Sequence, residues 1–219
     1  MRLYLKLSKN KQLVPFDYQV NLVGALHKWL GENNYHDDLS LYSMSWLKGD
    51  SDMLKTGFNF KKGAEFFISS PNQEFIKKIA LGIITDPSVC FGMKVENISI
   101  KETPYFSNRE RFNVSSPIFI KRKINEKIKF YFYDELESDA LLTETMKSKF
   151  KKAGLITDGF KIEFDRAYPK AKVKASTYNK VENKGSVCPV IIEGSPEQIG
   201  FAWDVGVGNS TGIGFGSLA

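Results

Sequence analysis

Five glycines fall within the eleven residues GVGNSTGIGFG, Gly206 to Gly216. Glycine loses more conformational freedom on folding than any other residue. Such a cluster is tolerated where the backbone must take positive φ or come close to another group. Phosphates are familiar ligands of bare backbone, through successive N–H groups. Two nucleotide-binding readings nevertheless fail. A dinucleotide fingerprint opens a helix and needs an acidic residue further on, but only Ser217, Leu218 and Ala219 follow. A Walker A loop ends in Lys and then Ser or Thr, and no Lys or Arg occurs after Lys184. Both points argue against nucleotide hydrolysis. A glycine-rich hairpin before a last edge strand is the purely structural alternative.

Because the loop has no cations, charge for an anionic ligand must come from elsewhere in the chain. The 31 Lys and Arg exceed the 25 Asp and Glu, for a net charge of +6. The excess is patchy. KSKFKK and RAYPKAKVKASTYNKVENK, between Lys147 and Lys184, are basic and carry Tyr168 and Tyr178, whereas DDLS and YDELESD are acidic. A basic stretch interleaved with aromatics suits a polyanionic partner; a solvated lysine-rich face is the plainer reading. Cys90 and Cys188 stand far apart with no CxxC and no adjacent His, which argues against a zinc site or a disulfide scaffold. MRLYLKLSKNKQL alternates like a strand rather than reading as a signal peptide, and no apolar run approaches the ~20 residues needed to span a bilayer. The expectation is a soluble, cytoplasmic protein with no membrane association.

Periodicity orders the first half as β-α-β-β-α-β. RLYLKLS alternates as a half-buried strand. A helix is predicted over 18–30, with Leu22, Leu26, Trp29 and Leu30 on its apolar face and Gly31 at its end. LSLYSMSWL and FNFKKGAEFFISS are strands, the second broken at KKG; QEFIKKIALGII is a helix and VENISIKET a strand. After Arg111 the order recurs less cleanly. FNVSSPIFIKR and KIKFYFY are strands, and ELESDALLTETMKSKFKKAG is a helix. FKIEFDRAY and AKVKASTYNKV are expected to form a hairpin, and CPVIIEG a strand. SPEQIGFAWDVG is a helix capped by Ser195 with Pro196 first. The predicted fold is α+β: two tandem ferredoxin-like (RRM-like) units with antiparallel sheets, 1–105 and 112–219.

Such a pair, ending in Gly206-Val-Gly208-Asn-Ser-Thr-Gly212-Ile-Gly214-Phe-Gly216, resembles the repeat-associated RNA-binding proteins of CRISPR systems, and among them the Cas-six family of CRISPR repeat endoribonucleases. VPFDYQVNLVGALHKWL, a V-P-aromatic opening into a helix with Gly24 midway, is also similar. The resemblance implies a protein that binds CRISPR repeat RNA and cuts precursor RNA within each repeat. It implies that the loop residues Gly206, Gly208, Asn209, Ser210, Gly212, Gly214 and Gly216 help position RNA. Arg166, Lys170, Lys172 and Lys174 then become the suppliers of charge. The alternative the resemblance carries is a non-catalytic scaffold subunit of a CRISPR effector complex. Other effector subunits and a second copy of the chain are further partners it suggests.

Metal-free RNA cleavage requires a base to deprotonate the 2′-OH, an acid to protonate the leaving 5′ oxygen, and a cation to steady the phosphorane. Histidine suits the first two roles, and the chain has two, His27 and His36. On the predicted helix His27 falls well round from the apolar stripe, on the side of Val20 and Gly24. His36 lies in the following loop between Tyr35 and Asp37. In the family the catalytic residues lie on the first helix and just after it, so the resemblance assigns His36 as base and His27 as acid or orienting group, interchangeably. Tyr35 is then a hydrogen-bond donor. Asp38 and Leu39 occupy the place of the family's usual lysine, and Lys48 is the nearest one downstream. No Asp, Glu and His cluster has metal-ligand spacing, so neither a metal nor a cofactor is expected. The product implied by the family chemistry is a 2′,3′-cyclic phosphate.

Overall fold

The structure is a computed structural model describing residues 1–32 and 39–219. In chain order the first half contains β1 (Arg2–Leu7), β2 (Val14–Pro15), α1 (Gln19–Leu30), β3 (Ser43–Met44), β4 (Asp52–Leu54), β5 (Gly57–Asn59), β6 (Ala64–Ser69), α2 (Gln73–Thr85) and β7 (Val95–Lys101). Leu3, Leu5 and Leu7 alternate along β1 and are all buried, so one face of the strand is core. The main sheet runs β3-β6-β1-β7, all antiparallel, with Leu5 opposite Phe66 on one side and Ile98 on the other. Counting those four strands in sequence, the spatial order is second, third, first, fourth, the ferredoxin-like arrangement. Leu22, Leu26, Trp29 and Leu30 of α1 and Phe75, Ile76, Ile79 and Ile83 of α2 bury the two helices against each other and the sheet.

The small sheet β2-β5-β4 departs from the sequence reading. The break at KKG separates β5 from β6 altogether. The stretch around Gly49–Gly57, which carries turn signals, contains β4, a fully exposed strand with no core face to give it a hydrophobic period.

The second half contains β8 (Arg109–Phe112), β9 (Ile120–Ile124), β10 (Lys127–Tyr131), α3 (Glu137–Ala153), β11 (Lys161–Phe164), β12 (Lys172–Tyr178), β13 (Val181–Val187), β14 (Val190–Glu193) and α4 (Pro196–Val205). The sheet β11-β14-β8 gains a fourth member where Leu218 bridges Val114. The same ferredoxin-like order results, interrupted by two inserted hairpins, β9–β10 and β12–β13. Their turns, Asn125-Glu126 and Asn179-Lys180, have positive φ at both residues, as expected where a two-residue connection must match strand twist. FKIEFDRAY and AKVKASTYNKV therefore do not pair with each other. β11 pairs with β14, and β12 pairs with β13 immediately after it in the chain. VENKGSV is polar and lysine-containing, which hides β13 from a hydrophobic pattern.

The two units meet at the start of β1 and the end of α4. The Arg2 guanidinium lies between the rings of Phe67 and Trp203, 3.8 and 3.4 Å from their centroids, and its Nη2 donates to the Trp203 carbonyl at 3.0 Å. Buried Asp204 accepts from Ser69 Oγ at 3.0 Å and from Thr103 Oγ1 at 2.6 Å.

Candidate functional site

The glycine loop begins where α4 ends. Ser195 Oγ accepts from the Gln198 N–H and the Gln198 side chain returns the bond, a capping box that fixes the start of α4. At the other end, Val207 N–H donates to Gly216 O at 2.8 Å and closes the loop on itself. Asn209 N–H donates to Phe119 O at 2.7 Å, and Gly216 N–H to Pro117 O at 2.8 Å. All five glycines are buried. At Gly216, with φ at 64°, a Cβ would run into the Val207 carbonyl. At Gly208, with φ at 78°, it would stand 2.6 Å from Phe119 O. The glycines there serve close backbone packing under positive φ. Asn209, Ser210 and Ile213 are only half-buried.

Beneath the loop lies the completely buried Lys149 of α3. Its Nζ donates to Val205 O at 3.2 Å, Gly206 O at 3.0 Å and Thr211 Oγ1 at 3.1 Å. Burial pushes its pKa down from the usual lysine value to about 7. Sequence reasoning assigned the basic stretch to the surface and missed this residue. The available signal was spacing: Lys149 falls seven residues after Leu142 and three after Met146, on the buried stripe of α3.

The first unit presses on the loop from the other side. Trp46 Nε1 donates to Gly214 O at 2.6 Å. Ser40 and the buried Tyr42 close over Gly212, where a Cβ would stand 2.8 Å from the Tyr42 hydroxyl. Burial, with Tyr178 beside it, pushes the Tyr42 phenol up to about 12. Lys152 Nζ donates to Leu39 O at 2.6 Å. Helix α1 packs on the 3₁₀ turn Thr211–Ile213 of the loop.

His27 is half-buried on the third turn of α1, near the end that leads into 33–38. His36 and Tyr35 lie outside the described residues. Lys48 is at the opposite end of the helix. The neighbouring Leu47 N–H donates to the hydroxyl of Tyr18, which precedes α1, and the nine residues from Tyr18 to His27 span about 13 Å at ~1.5 Å each. The Lys48 ammonium donates to Ser115 Oγ at 3.1 Å. Arg166 is tied within the second unit, to Asp139 Oδ2 at 2.6 Å and Glu135 O at 2.9 Å, so it fastens the start of α3. Lys170, Lys172 and Lys174 are exposed. Lys174 Nζ sits 4.4 Å from the centre of the Trp46 ring, where partial burial and the like charge of Lys172 lower its pKa. The structure thus brings Lys174 and Lys48 to the Trp46 side of the loop, Lys48 through Ser115, and leaves Arg166 apart from it. Among the described residues no three His, Cys, Asp or Glu side chains group as metal ligands would. No helix among them is long and apolar enough to cross a membrane.

Residues 100–219 match the family model described as CRISPR associated protein Cas6, C-terminal. The CRISPR-associated endoribonuclease Cas6 1 of Methanocaldococcus jannaschii is 23% identical over 237 residues, covering 100% of this chain and 92% of that protein. A solved structure described as a Cas6-related gene product from Pyrococcus furiosus superimposes with a TM-score of 0.87 at 22% identity, over 100% of this chain and 97% of that one. Another, described as an RAMP protein binding different RNA substrates, gives 0.85 at 20% identity, over 100% and 98%. These likenesses bear out the tandem ferredoxin-like fold, and the endoribonuclease class expected from the sequence is the one the Methanocaldococcus relative carries in its name. The glycine-rich ending, built as described above, lies wholly within the matched segment, and on that match the chain belongs to the Cas6 family of CRISPR-associated proteins.

Proposed function

We propose that this chain binds CRISPR repeat RNA and cleaves precursor transcripts within the repeats by attack of a 2′-OH on the adjacent phosphate, without a metal ion. The observation that carries this reading is the convergence on the glycine loop. α1, which holds His27, packs on the 3₁₀ turn, and Leu39 and Ser40, which follow the segment containing His36, are held by Lys152 and seated against Gly212. In this reading His36 removes the 2′-OH proton and His27 donates to or orients the departing 5′ oxygen. Tyr35 adds a hydrogen-bond donor. Lys152, anchored at the end of the segment that carries His36, supplies the cation in place of the distant Lys48. Phosphates are drawn by Lys170, Lys172 and Lys174.

The test is cleavage of a labelled cognate repeat in excess EDTA, beside a twin with a 2′-deoxy sugar at the cut site. The native chain should cut once and leave a 2′,3′-cyclic phosphate, and the twin should resist. His36→Ala and His27→Ala should bind normally and cut at least about a hundredfold more slowly. A native chain that binds the repeat without cutting it is instead a non-catalytic RNA-binding subunit.

A further inference from the structure

Lys149 stands on the stripe of α3 that carries Leu142, Met146 and Phe150 into the core, and it is 1% exposed. Lysine is almost never fully buried without a charged partner, yet among the described residues its ammonium meets no carboxylate. A methionine of similar length would fill the place without the cost of desolvating a charge. What lysine adds is three N–H donors for three acceptors. Two of these are Val205 O and Gly206 O, carbonyls at the end of α4, where helix carbonyls lack partners within the helix and the helix dipole is negative. The third, Thr211 Oγ1, lies across the loop and opens the 3₁₀ turn Thr211–Ile213. The lysine therefore ties the end of α4 to the turn.

The turn needs that tie. Ser210, which leads into it, has φ at 60°, in the left-handed region that favours glycine, and such a residue persists only where its surroundings hold it. On its outer side the turn meets the first unit: it packs on α1 and β3, and Ser40 and Tyr42 close over Gly212. α1 holds His27, and residues 39–42 follow the segment containing His36. We propose that Lys149 is a positioning residue for RNA cleavage. By fixing the turn it sets where α1 and residues 39–42 stand against the loop, and it does so from within the core, without touching RNA. This role rests on the cleavage reading above. A misplacement of about 1 Å caused far from the chemistry can cost about a hundredfold in rate. An interaction that matters only in the transition state changes kcat rather than binding.

The test uses the full chain, with saturating labelled repeat RNA for the single-turnover rate and the 2′-deoxy twin for affinity. Lys149→Met removes all three donors. Thr211→Val keeps the lysine and the side-chain shape and removes only the outer end of the tie, so it carries the test if Lys149→Met fails to fold. Both are assayed at a temperature where circular dichroism shows each fully folded. Lys149→Met should cut about ten- to a hundredfold more slowly and Thr211→Val about tenfold more slowly, with affinity for the twin within about twofold of native. The double variant should be no slower than Lys149→Met, because both changes break one tie. Ile162→Val, a buried change in β11, should leave rate and affinity unchanged. A native saturated rate in either loop variant overturns the proposal, as does affinity that falls in step with rate, or a double variant whose losses multiply. An equal slowing in Ile162→Val reports general destabilisation and overturns it too. A native chain that binds the repeat and never cuts it overturns the cleavage reading, and this role with it; one that cuts while the loop variants keep its rate retains the reading and loses only the role.

Discussion

The indole N–H of Trp46 donates to the carbonyl of Gly214 at 2.6 Å, joining the first unit to the glycine loop of the second. Trp46→Phe keeps the aromatic bulk and removes the donor, leaving a buried carbonyl unpaired. The expected loss is about 1–2 kcal/mol, or roughly 3–6 °C in melting temperature for a chain of this size. A calorimetric scan that finds no shift would show that the bond contributes nothing.

Two glycine substitutions should act in opposite directions. Gly216→Ala sets a methyl against the Val207 carbonyl at positive φ and should cost at least about 2 kcal/mol. Gly24→Ala, on the exposed side of α1 with open space at the Cβ position, should stabilise by roughly 0.5–1 kcal/mol. Urea titration of both variants checks this, and matching signs would refute it.

Lys149 gives the loop a pH signature. Its folded pKa, about 7, lies below its ordinary value of 10.5. Between those values the unfolded chain binds the proton and the folded chain does not, so stability from this group rises with pH. Below pH 7 both states are protonated and the burial penalty is complete. Native protein should therefore gain on Lys149→Met as pH climbs from 7 towards 10, although the variant is less stable at neutral pH because it strands Val205 O, Gly206 O and Thr211 Oγ1. Urea midpoints at pH 6, 7.5 and 9 decide the matter; a constant difference means an unperturbed lysine.

Arg2 should not tolerate replacement by Lys. A planar guanidinium can stack between Phe67 and Trp203 while donating to the Trp203 carbonyl, whereas an ammonium cannot match that geometry. Arg2→Lys and Arg2→Ala should both lower stability by about 2 kcal/mol or more. Near-native stability of the Lys variant would reduce Arg2 to a simple charge.

The elements legible in advance were those with a clean period and a cap. Leu3, Leu5 and Leu7 marked β1, the Leu22–Leu30 stripe marked α1, and Ser195 with Pro196 marked the start of α4. β4 and β13 were not legible, because β4 is fully exposed and β13 buries only the adjacent Gly185 and Ser186, so neither strand has an alternating apolar face. The basic residues expected to supply charge to RNA divided in the same way. Arg166 and Lys172 look alike in a basic stretch, but one is anchored to Asp139 and the other is exposed. Ion-pair partners distant in sequence settle that difference.

By itself, the sequence determined the two ferredoxin-like units, the family they resemble and the need for glycine between 206 and 216, since periodicity, capping and backbone freedom are local properties. Only the tertiary structure decided what those glycines touch. They pack beneath Ser40, Tyr42 and Trp46 from the first unit and above Lys149. Such contacts depend on how two separately folded sheets and their helices dock, and no period within either segment encodes that.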